Sequence, residues 1–130
     1  MKRHTALAAL LAALAALSAA ADELVLKSGT KYAGTITRSK PGEVCVTTAT
    51  GNQFFFKDDA VSFRLCKYTE PAEARQAVAL LNARKYAEAK PLFAKMEQRF
   101  RDLPAIWYDE ALYGVGVCAI KLGEHDEGIA

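Results

Sequence analysis

Apolar and polar positions follow two different periods along this chain, and the change falls near residues 68–71. Before it, short runs rich in β-branched and aromatic residues are separated by turns that contain Gly or Pro. One run alternates Val61, Phe63 and Leu65 with other residues, as a strand with one buried face does. Five such runs within residues 22–68 predict five short strands. Because curling removes exposed edges, we expect a small five-stranded β-barrel.

After residue 71 the apolar positions recur every three or four residues, which indicates helices with one buried face. The first stripe contains Ala74, Val78 and Leu81, and a polar break and a second stripe follow. A third stripe ends before Gly123, and a further helix is expected to begin near Asp126. Residues 71–130 therefore predict antiparallel helix pairs, and the fold class is a multidomain protein with a β domain before an α domain.

The first 21 residues form a separate segment. Lys2 and Arg3 precede a run of mostly Ala and Leu, and small residues lie before Asp22. A basic start, an apolar middle and a small-residue exit are the parts of a secretory signal peptide. We expect cleavage before Asp22, or one residue earlier, and export to the periplasm or cell envelope. A retained anchor helix is the alternative, but the run is shorter than the roughly 20 apolar residues that span a bilayer.

Cleavage changes the charge of the protein. The whole chain has a formal charge of +2, but without Lys2 and Arg3 its 15 basic residues balance 15 acidic ones. Nucleic-acid binding depends largely on an excess of positive charge. A neutral exported chain is therefore not expected to bind nucleic acid, and no stable membrane span is expected after cleavage.

Three cysteines remain in the exported chain, where an oxidising compartment allows disulfides to persist. Cys45 and Cys66 each lie in a strand-like run. Either they form one bridge between neighbouring strands, or they are two small buried residues that never meet. Cys118 lies in an apolar helical pattern and is expected to fill the core. The paired spacings of a zinc site are absent, so no metal is expected.

Three short motifs lie in the first half of the chain: Leu26-Lys27-Ser28-Gly29-Thr30, Gly34-Thr35-Ile36 and Phe56-Lys57-Asp58-Asp59-Ala60-Val61. Together they resemble the motifs of small Sm-like or SH3-like barrels in bacterial envelope proteins. The resemblance implies a domain that binds other molecules rather than one that catalyses a reaction.

The second half contains an internal repeat. Residues 84–89 align with residues 123–128 at an offset of 39, and each segment follows a helical stripe that ends in Leu. With the spacing of Tyr86, Ala89 and Phe93, this pattern resembles the tetratricopeptide repeat, in which stacked helix pairs share a core. The resemblance implies a concave surface that binds a protein or peptide. Because one pair cannot bury its own apolar face, we expect the chain to be part of a longer protein.

No group of residues with catalytic spacing is recognisable in the sequence. His125 is the only His left after cleavage and lies among acidic residues in a predicted turn, and the adjacent Asp58 and Asp59 are typical of a turn or helix cap. The spacings of a phosphate-binding loop and of a metalloprotease are absent. We therefore expect neither an enzyme nor a cofactor.

Aromatic side chains are the candidates for contact with a partner. Alternation places Phe55 on the opposite face of its strand from Phe54 and Phe56. Trp107 and Tyr108 are predicted to lie in the longer connection between the second and third stripes. Packing within the protein is the alternative for all of them. The sequence thus predicts an exported scaffold for protein–protein interaction, with self-association through the barrel as a further hypothesis. The alternative is the N-terminal accessory region of a longer envelope enzyme or transport-linked protein.

Overall fold

The computed structural model describes residues 21–124, which fall into two compact units that divide between Thr69 and Glu70. The first unit contains the strands β1 (Asp22–Val25), β2 (Lys31–Lys40), β3 (Glu43–Thr47) and β4 (Gln53–Lys57), and then two short 3-10 turns, Asp58–Ala60 and Phe63–Leu65. The second contains the helices α1 (Glu73–Asn82), α2 (Tyr86–Phe100) and α3 (Ile106–Lys121). Residues 1–20 of the signal peptide predicted over residues 1–21, and the helix predicted near Asp126, lie outside the described residues.

The four strands form one open antiparallel sheet in the order β1-β2-β3-β4. The long strand β2 pairs with β1 through its first half and with β3 through its second half. Gly42 and Gly51, in the two connections that follow, have φ values of 81° and 87°. Glycine adopts this left-handed backbone without the steric cost that a side chain adds, and so the tight turns keep neighbouring strands paired.

One face of this sheet carries the core of the first unit. Leu24, Ile36, Val44 and Val46 have no exposed surface. The register places Ile36 opposite Val46, and Val46 opposite Phe54. Because alternate residues of a strand point to the same face, these side chains form one apolar layer, and each contributes roughly 1.5–3 kcal/mol when buried.

Asp22 is a buried carboxylate that holds the beginning and the end of the sheet unit together. Its side chain is 3% exposed. One carboxylate oxygen accepts a hydrogen bond from the backbone N–H of Ile36 at 3.0 Å, and the other accepts one from Thr69 at 2.7 Å. The first residue of β1 thereby satisfies a donor in β2 and a donor where the chain leaves the unit.

The prediction of a five-stranded barrel is wrong. Residues 61–66, which were expected to form the fifth strand, make one isolated bridge from Val61 to Leu26 and then a 3-10 turn at Phe63–Leu65. Of the three alternating residues only Val61 is buried, and Leu65 is 53% exposed. The turn bonds its own backbone groups, from Leu65 N to Ser62 O and from Cys66 N to Phe63 O. With those groups satisfied locally, the segment adds no strand, and the sheet stays open.

The prediction of tetratricopeptide-like helix pairs is also wrong. The second unit has three helices within the described residues, and α1 has ten residues. α2 packs against both α1 and α3, so its apolar residues are covered from two sides without a repeated pair. The shared core consists of Ala74, Ala77, Ala89, Phe93, Met96, Ala111 and Cys118.

Gly114 of α3 lies against the ring of Phe93 on α2. A Cβ atom at this position would lie 2.3–2.6 Å from three ring atoms of Phe93, which is itself only 2% exposed. The ring therefore has no open space into which to move. A glycine normally weakens a helix, and here it provides the space for the aromatic ring.

We predict that Gly114→Ala destabilises the helical unit by roughly 1–3 kcal/mol, the usual cost of overpacking a core. This is the opposite of the gain of about 1 kcal/mol that Ala gives at an ordinary helical position. Trp107 is the only Trp of the chain, so its fluorescence during urea unfolding reports on this unit. The double variant Gly114→Ala with Phe93→Leu should recover part of the loss; equal or higher stability of Gly114→Ala alone would show the contact to be wrong.

We predict that Asp22→Ala destabilises the sheet unit by roughly 1–3 kcal/mol, because the buried N–H of Ile36 and the partly buried N–H of Thr69 each lose a charged acceptor. The measurement is urea unfolding followed by circular dichroism at wavelengths where strands absorb. Asp59→Ala is the matched control, since Asp59 is an exposed aspartate of the same unit and its loss should change stability by less than about 0.5 kcal/mol. Equal effects of the two substitutions would rule out the proposed role of Asp22.

Candidate functional site

A shallow groove of about 400 Å³ lies on the helical unit between α1 and the start of α3. On the α1 side it is lined by Ala74, Val78 and Asn82, which recur every four residues and therefore follow one face of the helix. On the α3 side it is lined by Trp107 and Glu110. Ala79, Glu70 and Arg75 complete the lining.

The floor of the groove is apolar and is fixed by the core beneath it. Ala74 is buried, Trp107 is half-buried and packs against the helical core, and Val78 is 40% exposed. The connection that leads into α3 is anchored by Leu103 and Ala105, which are 3% and 4% exposed. Because buried residues hold the chain just before Trp107, its ring is pre-positioned to contact whatever enters the groove.

The rim of the groove is charged and acidic on balance. Arg75 donates a hydrogen bond from Nε to Glu70 Oε1 at 3.3 Å, but the Arg75 side chain is 89% exposed. Such an exposed pair contributes little to stability and exchanges easily. Glu110 is exposed and makes no ion pair within residues 21–124. The rim thus carries two carboxylates and one guanidinium, and no described residue pairs with Glu110.

A second depression of about 360 Å³ lies where the connection between α1 and α2 meets the end of α3. Its lining includes Arg84, Lys85, Tyr86 and Leu122, so it is basic where the first groove is acidic. Leu122 is the exposed apolar residue here. Tyr86, like Trp107, is half-buried and packs against the helical core. We take the first groove as the candidate site because Trp107 is the larger aromatic side chain and lies there beside the exposed Val78.

The residues that the sequence proposed for partner contact lie in both units. Trp107 lines the groove, whereas its neighbour Tyr108 is half-buried and is not part of the lining. Phe55 lies on β4, with 53% of its surface exposed. Trp107 is therefore a residue of the helical unit and Phe55 a residue of the sheet unit.

The groove residues Val78, Glu70 and Glu110 were not predicted from the sequence. The helical period assigned Val78 to the core side of its helix, together with Ala74 and Leu81. In the structure Ala74 and Ala77 turn to the core, and Val78 lies one step round the helix at the groove. The charged residues Glu70 and Glu110 gave no signal either, since a lone acidic residue on a helix surface is the ordinary case.

The thiols of Cys45 and Cys66 are both free in the structure. Cys45 is buried in β3, with its Sγ 3.8 Å from Thr47 Oγ1. Cys66 lies beyond the second 3-10 turn, and its Sγ accepts a hydrogen bond from the backbone N–H of Val25 at 3.4 Å. Burial raises the pKa of the Cys66 thiol above its ordinary value, so the reactive thiolate is scarcer than in a free cysteine.

Cys118 is fully buried in the helical core. Its pKa is raised by burial, and the charge of Lys90 opposes this only in part. A buried thiol in apolar surroundings behaves as a small hydrophobic side chain. Cys118 is therefore part of the helical core and does not line the groove.

Within the part of the chain that the structure describes, no cluster of three or more His, Cys, Asp or Glu side chains could hold a metal ion. None of the helices α1 to α3 has the length and apolar character that crossing a membrane requires. Comparison of the chain with protein-family models, with curated proteins and with solved structures found no match. The site is therefore interpreted from its own geometry.

We predict that the purified protein, unfolded in alkylating agent without reductant, takes up three alkyl groups, as counted by intact mass. In the folded protein at pH 8, Cys118 should react at least about tenfold more slowly than in urea, because burial both raises its pKa and blocks access. The rate of Cys118 alkylation should keep rising as the pH passes above the ordinary pKa of a thiol. Uptake of a single alkyl group would instead reveal one disulfide.

Proposed function

We propose that this chain is a protein-interaction module of the cell envelope, and that the groove between α1 and α3 binds a segment of a partner protein. The observation that carries the proposal is Trp107, which is anchored by the core and lines an open groove beside the exposed Val78. Tryptophan is enriched among the residues that dominate binding energy in protein interfaces. The expected signal peptide supports a partner in the periplasm or envelope.

The shape of the groove favours a polypeptide over a small molecule. A volume of about 400 Å³ lies within the range of ligand sites, but the groove is shallow and open to solvent. Its polar lining residues are all exposed to solvent, which weakens their hold on a small ligand. The lining contains no nucleophile with an adjacent base. An extended or helical segment can insert one side chain and leave the rest of its length over the rim.

The charges of the rim define the chemistry of that segment. Glu110 lacks an ion pair within the described part of the chain, and Glu70 holds only the exposed Arg75. A Lys or Arg of the partner would meet Glu110 and compete with Arg75 for Glu70. We therefore expect a segment with one large apolar residue beside a basic residue, and the charge to contribute more to specificity and association rate than to affinity.

We predict that selection from a displayed random peptide library yields peptides with an aromatic or aliphatic residue within about four positions of a Lys or Arg. Their Kd should be micromolar. Val78→Lys should weaken binding at least about tenfold, because it places a cation in the apolar floor. Because Val78 is exposed, the substitution should change the free energy of unfolding only slightly. Glu110→Gln should weaken binding about two- to fivefold at low salt and less at high salt.

The matched control is Asp109→Asn, which removes one carboxylate from the exposed surface of the same helix without touching the groove. It should leave the Kd unchanged within about twofold. Enriched peptides without basic residues, or binding that Val78→Lys leaves intact, would refute the assignment of this groove.

A further inference from the structure

The two outer edges of the sheet differ in whether other described residues form hydrogen bonds to them. The outer edge of β1 is occupied by the segment that follows β4: Glu23 and Lys67 exchange two backbone hydrogen bonds of 2.8 and 2.9 Å, and Ser62 N bonds to Val25 O at 2.8 Å. Within residues 21–124, no backbone or side chain makes a hydrogen bond to the outer edge of β4. The unit therefore covers one edge and leaves the other open.

The hydrogen-bonding register between β3 and β4 determines which backbone groups of β4 point outward. Thr48 N bonds to Asn52 O at 2.8 Å at one end, and Asp58 N bonds to Gly42 O at 2.9 Å at the other. Bonded and non-bonded pairs alternate in an antiparallel ladder, so every second residue of β4 bonds to β3. The residues whose N–H and C=O groups point away from the sheet are Gln53, Phe55 and Lys57.

The side chains of β4 make this edge apolar on both faces. Phe54 is 40% exposed and Phe55 is 53% exposed, and they point to opposite faces. On the face of Phe54, the Tyr32 ring lies 5.4 Å from the Phe54 ring and 4.8 Å from the Phe56 ring. Natural sheets protect edges with proline, bulges or charges. β4 has a regular register and a single charge, at its last residue Lys57.

We propose that β4 pairs with β4 of a second copy of this chain, antiparallel about a two-fold axis at Phe55, so that two four-stranded sheets become one. In this register Phe55 lies opposite the second copy's Phe55, Phe54 lies opposite Phe56, and Gln53 lies opposite Lys57. The outward groups of one strand then meet the outward groups of the other, which gives about six backbone hydrogen bonds.

The distribution of charge favours a second copy as the occupant of this edge. Lys57 meets the uncharged Gln53, so no like charges lie opposite one another. The aromatic side chains are also self-complementary: the two Phe55 rings meet on one face, and each Phe54 meets a Phe56 on the other. With five residues on each strand, this interface is smaller than a standard one. We expect a reversible dimer with a Kd on the order of 10–100 μM.

The experiment is sedimentation velocity of the purified protein from about 1 to 500 μM. The wild type should pass from monomer to dimer and no further, because a two-fold interface is closed. Phe55→Pro should give a monomer throughout this range, since proline removes an outward N–H and no bond to β3. Its circular dichroism spectrum should match that of the wild type.

Charge at residue 53 tests the register. Gln53→Glu faces the second copy's Lys57 and should tighten the dimer about fivefold, since the pair occurs twice, whereas Gln53→Lys should weaken it at least about fivefold. Gln76→Glu and Gln76→Lys are the matched controls, on an exposed residue of α1, and should change the Kd by less than about twofold.

A monomer at every concentration overturns the proposal. A dimer that persists in Phe55→Pro, or one that responds equally to charge at residues 53 and 76, places self-association elsewhere on the protein and also overturns it. An open series of larger species does the same, because it requires two different surfaces. Val78→Lys should leave the dimer intact, so this outcome is separate from that of the groove.

Discussion

The contact between Phe93 and Gly114 allows α2 and α3 to pack closely. A larger side chain at residue 114 would push these helices apart, because three ring atoms of Phe93 already lie where its Cβ would be. α3 carries Trp107 on one side of the groove, and α1, which lines the other side, packs against the same helix α2. The two sides of the groove are therefore held by core residues, such as Phe93 and Gly114, that do not themselves line it.

The sheet unit depends on a comparable constraint, the satisfaction of backbone groups near its ends. Asp22 satisfies donors in β2 and at Thr69, and Arg38 reaches Asp58, where β4 ends, with Nη1 and Oδ1 2.6 Å apart. These contacts fix the strands and the covered edge of β1. Among residues 21–124 they leave β4 as the edge at which outward-pointing backbone groups and exposed aromatic rings coincide, and that coincidence motivates the dimer.

The two proposed surfaces, acting together, would allow bivalent binding of a partner. The groove would bind a foreign segment, and the edge of β4 would bind a second copy, so a dimer would carry two grooves. A partner with two copies of the recognised segment would then bind more tightly than either groove alone, by up to 10²–10⁴-fold where the geometry allows both to engage. Weak self-association would thus make binding depend on the local concentration of the chain.

The sequence by itself predicted a half rich in strands and turns before a helical half, because the period of apolar residues and the positions of Gly and Pro act over a few neighbours. It did not determine what residues 61–66 would do: Val61, Phe63 and Leu65 alternate as in a strand, yet a local 3-10 turn satisfied the backbone instead. Only the tertiary structure decided which apolar residues remain exposed to solvent. Ala74 and Val78 belong to one stripe, but burial depends on helices distant in sequence, and these cover Ala74 and leave Val78 beside Trp107.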